Sequence, residues 1–325
     1  MSKQGRIADK IVITGALGHI GARLIRSFKP GDYGEVLLLD NMSTQRYCSL
    51  FDLPADIPFR FVEADVCTCD LEAHFAGAGA VVHLAAITNA AGSFDDQAGV
   101  ERVNYSGTER EAKACAAAGS RLLFLSTTSV YGTQEDVVDE NCTPDQLKPQ
   151  SPYAESKLRA ERLLQTMARE QGLKTVVCRF GTIYGTSIGM RFHTAVNKFV
   201  WQACAGTPIT VWRTAMDQKR PYLDLGDAVR AIGFILETSR FDGQVYNVLT
   251  DNVSVAGIVA AIKAYVPDLR VELVDSRIMN QLSYTVLCEK FRALGFSFSG
   301  DLKTSIGDTV RLLRGLRGNE LNDIR

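Results

Sequence analysis

The chain has 325 residues, of which 46% are hydrophobic and 22% are charged, and its formal net charge is −1. This length exceeds most single cores, so we expect one large domain or two coupled ones. The near-zero charge gives no reason to expect a nucleic-acid or membrane partner, and an anionic ligand must then be held by a few local cations and backbone groups.

Targeting signals and metal ligands are not evident in the sequence. The first residues, MSKQGRIADK, are polar, and no long apolar span follows them. The eight cysteines are scattered, and the one close pair, Cys67 and Cys69, has no second Cys or His cluster at zinc-ligand spacing. We therefore expect reduced thiols, no metal site and a cytoplasmic location.

Short β-branched runs alternate with helical patterns in the first half of the chain. Strands are predicted at KIVITG, GEVLLLD, FRFVEAD, AVVHLAA and SRLLFLSTT. Helices are predicted at HIGARLIRSFK and, between the last two of these strands, at DDQAGVERVNYSGTEREAKACAAAG. Continuously apolar strands separated by helices are typical of a doubly wound α/β fold, in which helices cover both faces of a parallel sheet.

From about residue 176 the alternation loosens. A strand and a loop are predicted at TVVCRFGTIYG, and a helix is predicted at FHTAVNKFVWQACAG. A short strand and a helix are predicted at PYLDLGDAVRAIGFILE, and a further strand is predicted at GQVYNVL. Residues 251–325 predict a helix, a strand and two further helices. We expect a first domain of residues 1–175 with a return segment at about 215–250. Residues 176–214 and 251–325 would form a smaller α/β lobe.

The stretch TGALGHIG follows the first strand and opens the first helix. Its glycines, Gly15, Gly18 and Gly21, form a GxxGxxG pattern. Gly15 permits the tight turn, Gly18 lets a pyrophosphate approach the backbone, and Gly21 lets the helix pack on the sheet. In this strand–turn–helix context, the pattern predicts a dinucleotide site on a Rossmann-type domain.

Two acidic residues end the next strands. Asp40 can accept hydrogen bonds from ribose hydroxyls and would repel a 2′-phosphate, which favours NAD over NADP. The nearby Arg46 keeps NADP open as the alternative. Asp65, after the third strand, is placed to meet the adenine amino group.

The stretch SPYAESK combines a helix start with a tyrosine and a lysine. Ser151 is a good N-cap and Pro152 suits the first helical position. Tyr153 and Lys157 then share one helix face at i, i+4. A phenol ordinarily titrates near pH 10, and the Lys157 ammonium and the helix N-terminus favour its phenolate form. The pair is therefore a candidate for acid–base chemistry, although an ordinary surface pair has the same spacing.

Together with HLAA (83–86), NYSGT (104–108), STTSVYG (126–132) and RPYLDLGDAV (220–229), these motifs resemble the extended short-chain dehydrogenase/reductase superfamily. More narrowly, they resemble the NAD-dependent nucleotide-sugar epimerase/dehydratase family, with enzymes like UDP-glucose 4-epimerase. The resemblance covers nearly the whole chain. It implies an NAD cofactor, a nucleotide-diphosphate sugar substrate bound by the smaller lobe, and a catalytic triad of Thr127, Tyr153 and Lys157. The cofactor contacts that it implies are Gly15, Gly18, His19, Ile20, Gly21, Asp40, Asn41, Asp65, Val66, Leu84, Ala85, Ala86, Asn104, Ser126, Tyr153 and Lys157.

The resemblance also implies a reaction that begins by oxidising a sugar ring carbon, usually C4, to a ketone. Sugar-nucleotide 4,6-dehydratases carry Asp-Glu directly after the catalytic Thr, where this chain has Thr128 and Ser129. That difference counts against a dehydratase. A 4-epimerase, which returns the hydride to the other face of the ketone, is the prediction. A 4-dehydrogenase that releases NADH is the alternative, and a non-catalytic NAD sensor or structural subunit is a weaker one.

The substrate pocket departs from the common pattern. Many 4-epimerases read RYFNVYG, and this chain reads RFGTIYG, so Thr182 replaces an Asn that contacts the diphosphate. Arg191 and Arg220 are candidates for the diphosphate because arginine binds phosphate in a bidentate manner. Asn197 could reach a phosphate or the base.

Other polar and aromatic residues are assigned by position. Thr88, Ser93 and Thr128 are predicted to line the sugar pocket. His193 is expected to be a core histidine, and Trp201 and Trp212 are expected to pack in the core or beside the nucleotide.

The assembly is predicted by family analogy. The helices at about 95–118 and 153–171 would pair with their copies in a homodimer through a four-helix bundle. The Ala- and Leu-rich stretches EAKACAAAG and LRAERLLQTM are consistent with close helix contacts.

Overall fold

The computed structural model describes residues 7–132, 137–275 and 284–316. The strands in these ranges are β1 (Ala8–Thr14), β2 (Tyr33–Asp40), β3 (Phe59–Glu63), β4 (Ala80–His83), β5 (Arg121–Thr127), β6 (Val137–Val138), β7 (Thr175–Phe180), β8 (Thr182–Tyr184), β9 (Ile209–Trp212), β10 (Lys219–Asp224), β11 (Val245–Val248), β12 (Asp251–Ser254), β13 (Val271–Val274) and β14 (Thr285–Val286). The α-helices are α1 (His19–Leu24), α2 (Leu71–Phe75), α3 (Gln97–Val100), α4 (Gly107–Ala118), α5 (Pro152–Gln171), α6 (Ala195–Cys204), α7 (Leu225–Thr238), α8 (Val255–Lys263), α9 (Glu289–Arg292) and α10 (Leu302–Leu312).

A seven-stranded parallel sheet dominates the fold, in the order β11-β7-β5-β4-β1-β2-β3. Successive residues of β1 point to opposite faces. Ile11 and Ile13 pack in one core layer, with α1 and α7, whereas Val12 packs in the other, with α4 and α5. The predicted doubly wound α/β fold is confirmed.

The order of the strands creates a switch point. From β1 the chain proceeds through β2 and β3 to one side, and then from β4 through β5, β7 and β11 to the other side. The carboxyl ends of β1 and β4 therefore diverge into loops that leave in opposite directions. Open α/β sheets bind ligands at this point.

The predicted division of the chain needs two corrections. Residues 176–180, which the sequence assigned to the smaller lobe, form most of β7 in the large sheet. The strand β10, which lies within the predicted return segment, pairs with β8 and β12 in a separate three-stranded sheet. Among the described strands that follow β7, β11 alone returns to the large sheet, where it pairs with the buried strand β7.

Two helices differ from their predicted form. The first was predicted over 19–29, but α1 ends at Leu24, where the amide and the hydroxyl of Ser27 both bond the Leu24 carbonyl, and Pro30 follows. The long helix is continuous from Gln97 to Ala118, as expected. Its middle, residues 101–106, is a π-helical turn that contains Asn104.

The smaller lobe has its own core. Helices α6, α8 and α10 pack with β9 around buried Val196, Val200, Ile258 and Ile306. No helix in residues 7–132, 137–275 or 284–316 is long and apolar enough to cross a membrane. The described residues also contain no group of three His, Cys, Asp or Glu side chains that could hold a metal ion.

Candidate active site

A cavity of about 1030 Å³ opens at the switch point. Its walls come from the ends of β1, β2, β4 and β5 on one side and from β8, β9, β10 and α6 on the other. Pockets of 300–1,000 Å³ hold one drug-sized ligand. The cavity lies at the upper end of this range, which suits a ligand as large as a dinucleotide.

The glycine-rich loop between β1 and α1 forms one end of the cavity. Gly15 has φ +65°, and a Cβ there would lie 2.6 Å from the Ala85 amide nitrogen. A Cβ on Gly21 would lie 2.3 Å from the Ala16 carbonyl oxygen, so this glycine allows α1 to pack on its own preceding loop, not on the sheet as expected. A Cβ on Gly18 would have one contact within 4 Å, the Gly15 carbonyl oxygen at 3.2 Å.

The geometry of this loop fits a pyrophosphate. Gly18 precedes α1, and its side towards the cavity carries no Cβ, so a phosphate can approach the amides of the helix N-terminus. His19, Ile20 and Gly21 line the same end of the cavity. These residues would hold the diphosphate of NAD.

Asp40 and Asp65 lie at the predicted adenosine end. The Leu17 and Met42 amides each donate to a different oxygen of the Asp40 carboxylate, both at 3.0 Å. Asp65 accepts from the Cys67 amide at 2.8 Å and from the Arg102 guanidinium at 3.4 Å. Burial raises the pKa of Asp65, but these hydrogen bonds outweigh it and the net pKa is lowered. Asn41, Val66, Leu84, Ala85 and Ala86 also line this part of the cavity.

The three predicted catalytic residues meet beside the glycine-rich loop. Thr127, at the end of β5, accepts from the Ser129 amide at 3.1 Å, and its side chain hydrogen-bonds with that of Tyr153. As predicted, Ser151 caps the helix that carries Tyr153 and Lys157 by accepting from the Ala154 amide. Lys157 donates its ammonium to the Leu125 carbonyl at 2.9 Å and lies over the Phe124 ring.

Burial acts on the tyrosine and the lysine in opposite directions. Burial raises the pKa of Tyr153, and the hydrogen bond from Thr127 and the charge of Arg191 offset this only in part. Burial lowers the pKa of Lys157 to about 8, although the carboxylates of Glu111 and Glu161 favour its ammonium. The chain alone therefore keeps the phenol protonated at neutral pH, contrary to our expectation. The Lys157 ammonium and the helix N-terminus, which we expected to favour the phenolate, do not offset the burial of the phenol.

A buried ion pair underlies the catalytic residues. Ser126 donates its hydroxyl to Glu161, whose carboxylate also pairs with Arg179 at 2.7 Å. Arg179 in turn donates to the Tyr131 hydroxyl at 3.0 Å, and Tyr131 donates to the side chain of Asn247 at 2.9 Å. This network ties α5 to β5, β7 and β11. Ser126 lines the cavity as expected, but its hydroxyl is bonded to Glu161.

Asn104, in the π-helical turn, is not among the described residues that line the cavity. Its amide accepts from the Ile87 amide at 2.8 Å and donates to the Ile87 carbonyl at 2.9 Å. It therefore fixes the loop after β4, which carries Leu84, Ala85 and Ala86. A cofactor contact of Asn104 itself, as predicted, is not supported by this placement.

Five of the seven predicted substrate residues line the cavity. They are Thr88, Thr128, Thr182, Arg191 and Arg220. Arg191 donates to the Thr88 hydroxyl. Arg220 lies over the ring of Tyr284, 5.0 Å from its centre, and the Tyr284 hydroxyl donates to the Thr128 carbonyl at 3.4 Å.

Asn197, one of the two that do not, has a different role. It is buried, and its amide accepts from the Gly185 amide at 3.2 Å and donates to the Arg191 carbonyl at 3.1 Å. Both ends of the side chain thus hold the loop between β8 and α6. The predicted contact of Asn197 with a phosphate or base is not supported, because its polar atoms are committed to backbone.

Four other predictions change or gain detail. Ser93 is buried and does not line the cavity; its hydroxyl accepts from the Tyr153 amide at 3.3 Å. His193 is an exposed cavity residue and not a core histidine; desolvation and the charges of Arg191 and Arg46 lower its pKa to about 4. Trp212 lines the cavity, whereas Trp201 is exposed and packs on Phe192.

Sequence reasoning missed Lys198 and Tyr284, and it treated Arg46 only as a doubt about the cofactor. All three line the cavity. Lys198 lies in the first turn of α6, and its position beside a predicted helix start was the available signal. No feature of the sequence pointed to Tyr284, because this residue comes close to Thr128 and Arg220 only in the folded chain.

The charges around the cavity are unevenly distributed. Asp40 and Asp65, at one end, are the only carboxylates among the lining residues that the structure describes. The other end carries Arg191, Lys198 and Arg220. This end therefore favours a ligand with negative charge.

Comparisons with known proteins agree with this geometry. A sequence model of the NAD dependent epimerase/dehydratase family matches residues 11–248. A trifunctional UDP-glucose 4,6-dehydratase/UDP-4-keto-6-deoxy-D-glucose 3,5-epimerase/UDP-4-keto-L-rhamnose-reductase of Arabidopsis thaliana is 30% identical over 88% of this chain. The chain spans 44% of the length of that relative.

Solved structures extend the similarity over nearly the full chain. MoeE5 in complex with UDP-glucuronic acid and NAD has a TM-score of 0.81 and 28% identity, covering 94% of this chain and 99% of its own. The UDP-glucuronic acid 4-epimerase of Bacillus cereus has a TM-score of 0.86, covering 95% of this chain and 100% of its own. Its identity is 24%, so this likeness shows the fold alone.

The family match spans the parallel sheet, the glycine-rich loop and the Thr127–Tyr153–Lys157 group, all of which the structure brings to one cavity. This chain belongs to the NAD dependent epimerase/dehydratase family, whose members are enzymes that use NAD.

Proposed function

We propose that this protein is a UDP-sugar 4-epimerase. The observation that carries the proposal is the placement of Thr127 and Tyr153, hydrogen-bonded to each other, between the glycine-rich loop and a cation-rich pocket. Structures of relatives at 28% identity contain UDP-glucose or UDP-glucuronic acid with NAD, which supports a uridine diphosphate sugar as the substrate.

The residues of the chain would have the following roles in this reaction. Bound at the Gly15–Gly21 loop, NAD supplies a hydride acceptor that can also return the hydride. Tyr153 takes the proton of the sugar hydroxyl and later gives it back, acting as general base and then general acid. Thr127 donates a hydrogen bond that orients the hydroxyl and Tyr153. Lys157, charged below pH 8, stabilises negative charge on the phenol oxygen.

The pocket does not favour a dehydratase. Elimination of water across C5 and C6 needs an acid and a base near the sugar. Thr128 and Ser129 follow Thr127, and the Thr128 hydroxyl donates to the Phe180 carbonyl at 3.4 Å. The described carboxylates that line the cavity, Asp40 and Asp65, lie at the cofactor end. In this respect the chain differs from what the name of its Arabidopsis relative, which includes a dehydratase, would imply.

A second candidate substrate class is a UDP-hexuronic acid, and Arg191 favours it. The Nε atom of Arg191 is buried and has no hydrogen-bond partner among the described residues. Its guanidinium contacts Thr88, and its charge acts on Tyr153. A sugar carboxylate at C6, next to the ring carbons on which Tyr153 would act, would satisfy this group.

The first experiment separates an epimerase from a dehydrogenase. The purified protein is denatured, and the released cofactor is identified by mass spectrometry. The native protein is then incubated with UDP-glucose and with UDP-glucuronic acid while NADH absorbance and isomer composition are followed. Isomer interconversion without net NADH supports the epimerase. Stoichiometric NADH with a ketosugar product indicates the 4-dehydrogenase, and bound NAD without turnover indicates a non-catalytic role.

The same assay tests the role of Arg191. Replacement of Arg191 by Gln should lower kcat/KM for UDP-glucuronic acid by at least tenfold more than it lowers kcat/KM for UDP-glucose, because a buried carboxylate–guanidinium contact contributes about 1.5–3 kcal/mol. The control is Arg213→Gln, since Arg213 is exposed and lies outside the cavity wall. Equal losses for both sugars would remove the hexuronic acid candidate.

A homodimer through α4 and α5 is also part of the proposal. We expected the Ala-rich stretch of α4 to form the dimer interface, but Ala112, Ala114 and Cys115 pack in the core of one chain. The outward face keeps Ala116 and Ala117 exposed, and these small residues permit close approach of a second helix. A single-chain mass in light scattering at micromolar concentration would exclude the dimer.

We propose a cytoplasmic localisation because the cysteine thiols are free. All eight cysteines are unpaired in the structure, which suits a reducing compartment. Cell fractionation that places the protein with a secreted marker would contradict this localisation.

A further inference from the structure

Residues 186–191, which connect β8 to α6, lie directly against the glycine-rich loop. The Ser187 hydroxyl is 2.8 Å from His19 Nδ1. A Cβ on Gly189 would lie 2.7 Å from the Leu17 carbonyl oxygen and 2.8 Å from that of Gly18. The 186–191 segment thus packs backbone to backbone on the carbonyl side of the loop that would hold the NAD diphosphate.

The other end of the 186–191 segment reaches the sugar end of the cavity. Arg191 donates to Thr88, and its charge acts on Tyr153. Its guanidinium is only partly satisfied, because Nε has no hydrogen-bond partner among the described residues. A ligand in the pocket therefore has a hydrogen-bonding group to engage on this segment.

Between these ends the 186–191 segment is held as one piece. The Met190 amide donates to the Ser187 carbonyl at 3.1 Å, which closes a tight turn. Buried Asn197 bonds the Gly185 amide and the Arg191 carbonyl, so it fixes both ends of the loop to α6. The segment is therefore a continuous, internally bonded connection from Arg191 to Ser187 and Gly189.

We propose that the 186–191 segment couples the two halves of the cavity: a sugar nucleotide that engages Arg191 presses Gly189 and Ser187 onto the glycine-rich loop and tightens the hold on NAD. The inference rests on the proposed function for the identity of the second ligand. It gives that function a physical basis, because an epimerase must keep its reduced cofactor until the hydride has been returned. Coupling between two binding sites is reciprocal, so NAD must tighten the sugar nucleotide by the same factor.

The test measures NAD affinity with and without UDP-glucose, in the Tyr153→Phe background so that no turnover occurs. Without substitutions in the segment, saturating UDP-glucose should tighten NAD binding by about fivefold or more. Gly189→Ala inserts a methyl group against the Leu17 and Gly18 carbonyls, so it should weaken NAD binding alone and abolish the enhancement. The matched control is Gly233→Ala, because a Cβ there meets nothing within 4 Å.

Ser187→Ala removes the contact with His19 without adding an atom, and it should reduce the enhancement even if Gly189→Ala fails to fold. NAD affinity that is insensitive to UDP-glucose, or a Gly189→Ala or Ser187→Ala variant with the same enhancement as Gly233→Ala, would overturn the coupling. Absence of UDP-glucose binding by calorimetry would overturn the proposed substrate class. In that case the effect of Gly189→Ala on NAD binding alone still decides whether the segment supports the loop.

Discussion

The acid–base residue, Tyr153, is held in place by three separate contacts. Its amide donates to buried Ser93, its side chain hydrogen-bonds with Thr127, and the charge of Arg191 acts on it. None of these contacts makes the phenol acidic enough to ionise at neutral pH, because burial raises its pKa. The chain thus positions the phenol oxygen and leaves its ionisation to be assisted by the positively charged nicotinamide ring of bound NAD.

Replacement of Tyr153 by Phe should abolish turnover and leave NAD binding intact. The ring and its packing remain, and only the proton acceptor is lost, which lowers kcat by about 10²–10⁴-fold for a general acid–base residue. Steady-state kinetics and NAD titration measure the two properties. The control is Tyr47→Phe, because the Tyr47 side chain is 56% exposed and lies outside the cavity wall. Normal turnover in Tyr153→Phe would remove the proposed mechanism.

The activity should fall as the pH rises through about 8. Burial lowers the pKa of Lys157 from 10.5 to about 8, so its ammonium is present below that pH and is lost above it. If catalysis uses the ammonium, and if the charge of bound NAD has already ionised Tyr153, log kcat/KM is level below pH 8 and declines with a slope of −1 above it. Ionisation of Tyr153, whose pKa is raised, would act with the opposite sign and at higher pH.

Measurement of kcat/KM from pH 6 to pH 10 tests the predicted decline above pH 8. The control is Lys113→Gln, because Lys113 is exposed on α4 and its loss should leave the profile unchanged. A profile that rises between pH 8 and 10 would show that tyrosine ionisation, and not the lysine charge, limits the reaction.

At the scale of secondary structure, apolar strands were easier to predict than polar contacts. The strands β1, β4 and β7 are buried on both faces, so their hydrophobic runs identify them without knowledge of their neighbours. The start of α5 was predictable because Ser151 and Pro152 signal it locally. The roles of Asn197 and Ser93 were not, because their partners lie in other segments that only the fold brings close.

The connection from β5 to α5 depends on Gly132. This residue has φ +63° and ψ −137°, and a Cβ there would lie 1.6 Å from the Lys148 carbonyl oxygen. The contact fixes the turn of residues 128–131 against the segment that leads to Ser151. It therefore sets the distance between Thr127, which precedes the turn, and Tyr153, which follows the cap.

Gly132→Ala should be much more destabilising than Gly119→Ala. Gly119, after α4, has a nearly identical φ of +66°, but a Cβ there meets nothing within 4 Å. The Gly119 substitution should cost about 1 kcal/mol from backbone strain, and the Gly132 substitution about 1–3 kcal/mol more, from steric overlap and from a ψ of −137° that non-glycine residues do not adopt at this φ. Urea unfolding measures both. Equal losses would show that the Lys148 contact relaxes without cost.

At the scale of the whole molecule, the active site belongs to both parts of the fold. The large sheet supplies the glycine-rich loop and the catalytic residues, and the smaller lobe supplies Lys198 and Arg220. The strand order, which the structure and not the sequence supplied, accounts for where the cavity opens, because a switch point follows from the topology. The cation-rich end was only partly predictable, since Lys198 and Tyr284 carry no motif.

A cofactor that contacts this shared cavity should stabilise the whole fold, and it should do so selectively. NAD at about 100 times its Kd raises the free energy of unfolding by about 2.7 kcal/mol. NADP at the same concentration should raise it far less, because the carboxylate of Asp40, at the edge of the cavity, repels a 2′-phosphate. Urea unfolding with each cofactor measures the difference.

Asp40→Asn should narrow that difference, since the amide keeps one acceptor oxygen and removes the negative charge beside Arg46. The control is Asp56→Asn, because Asp56 is exposed and lies outside the cavity wall. Equal stabilisation of the unsubstituted protein by NAD and NADP would show that Arg46 compensates the carboxylate, and the chain would then accept both cofactors. If the difference between stabilisation by NAD and by NADP persisted in Asp40→Asn, the shape of the loop after β2, and not its charge, would distinguish the two cofactors.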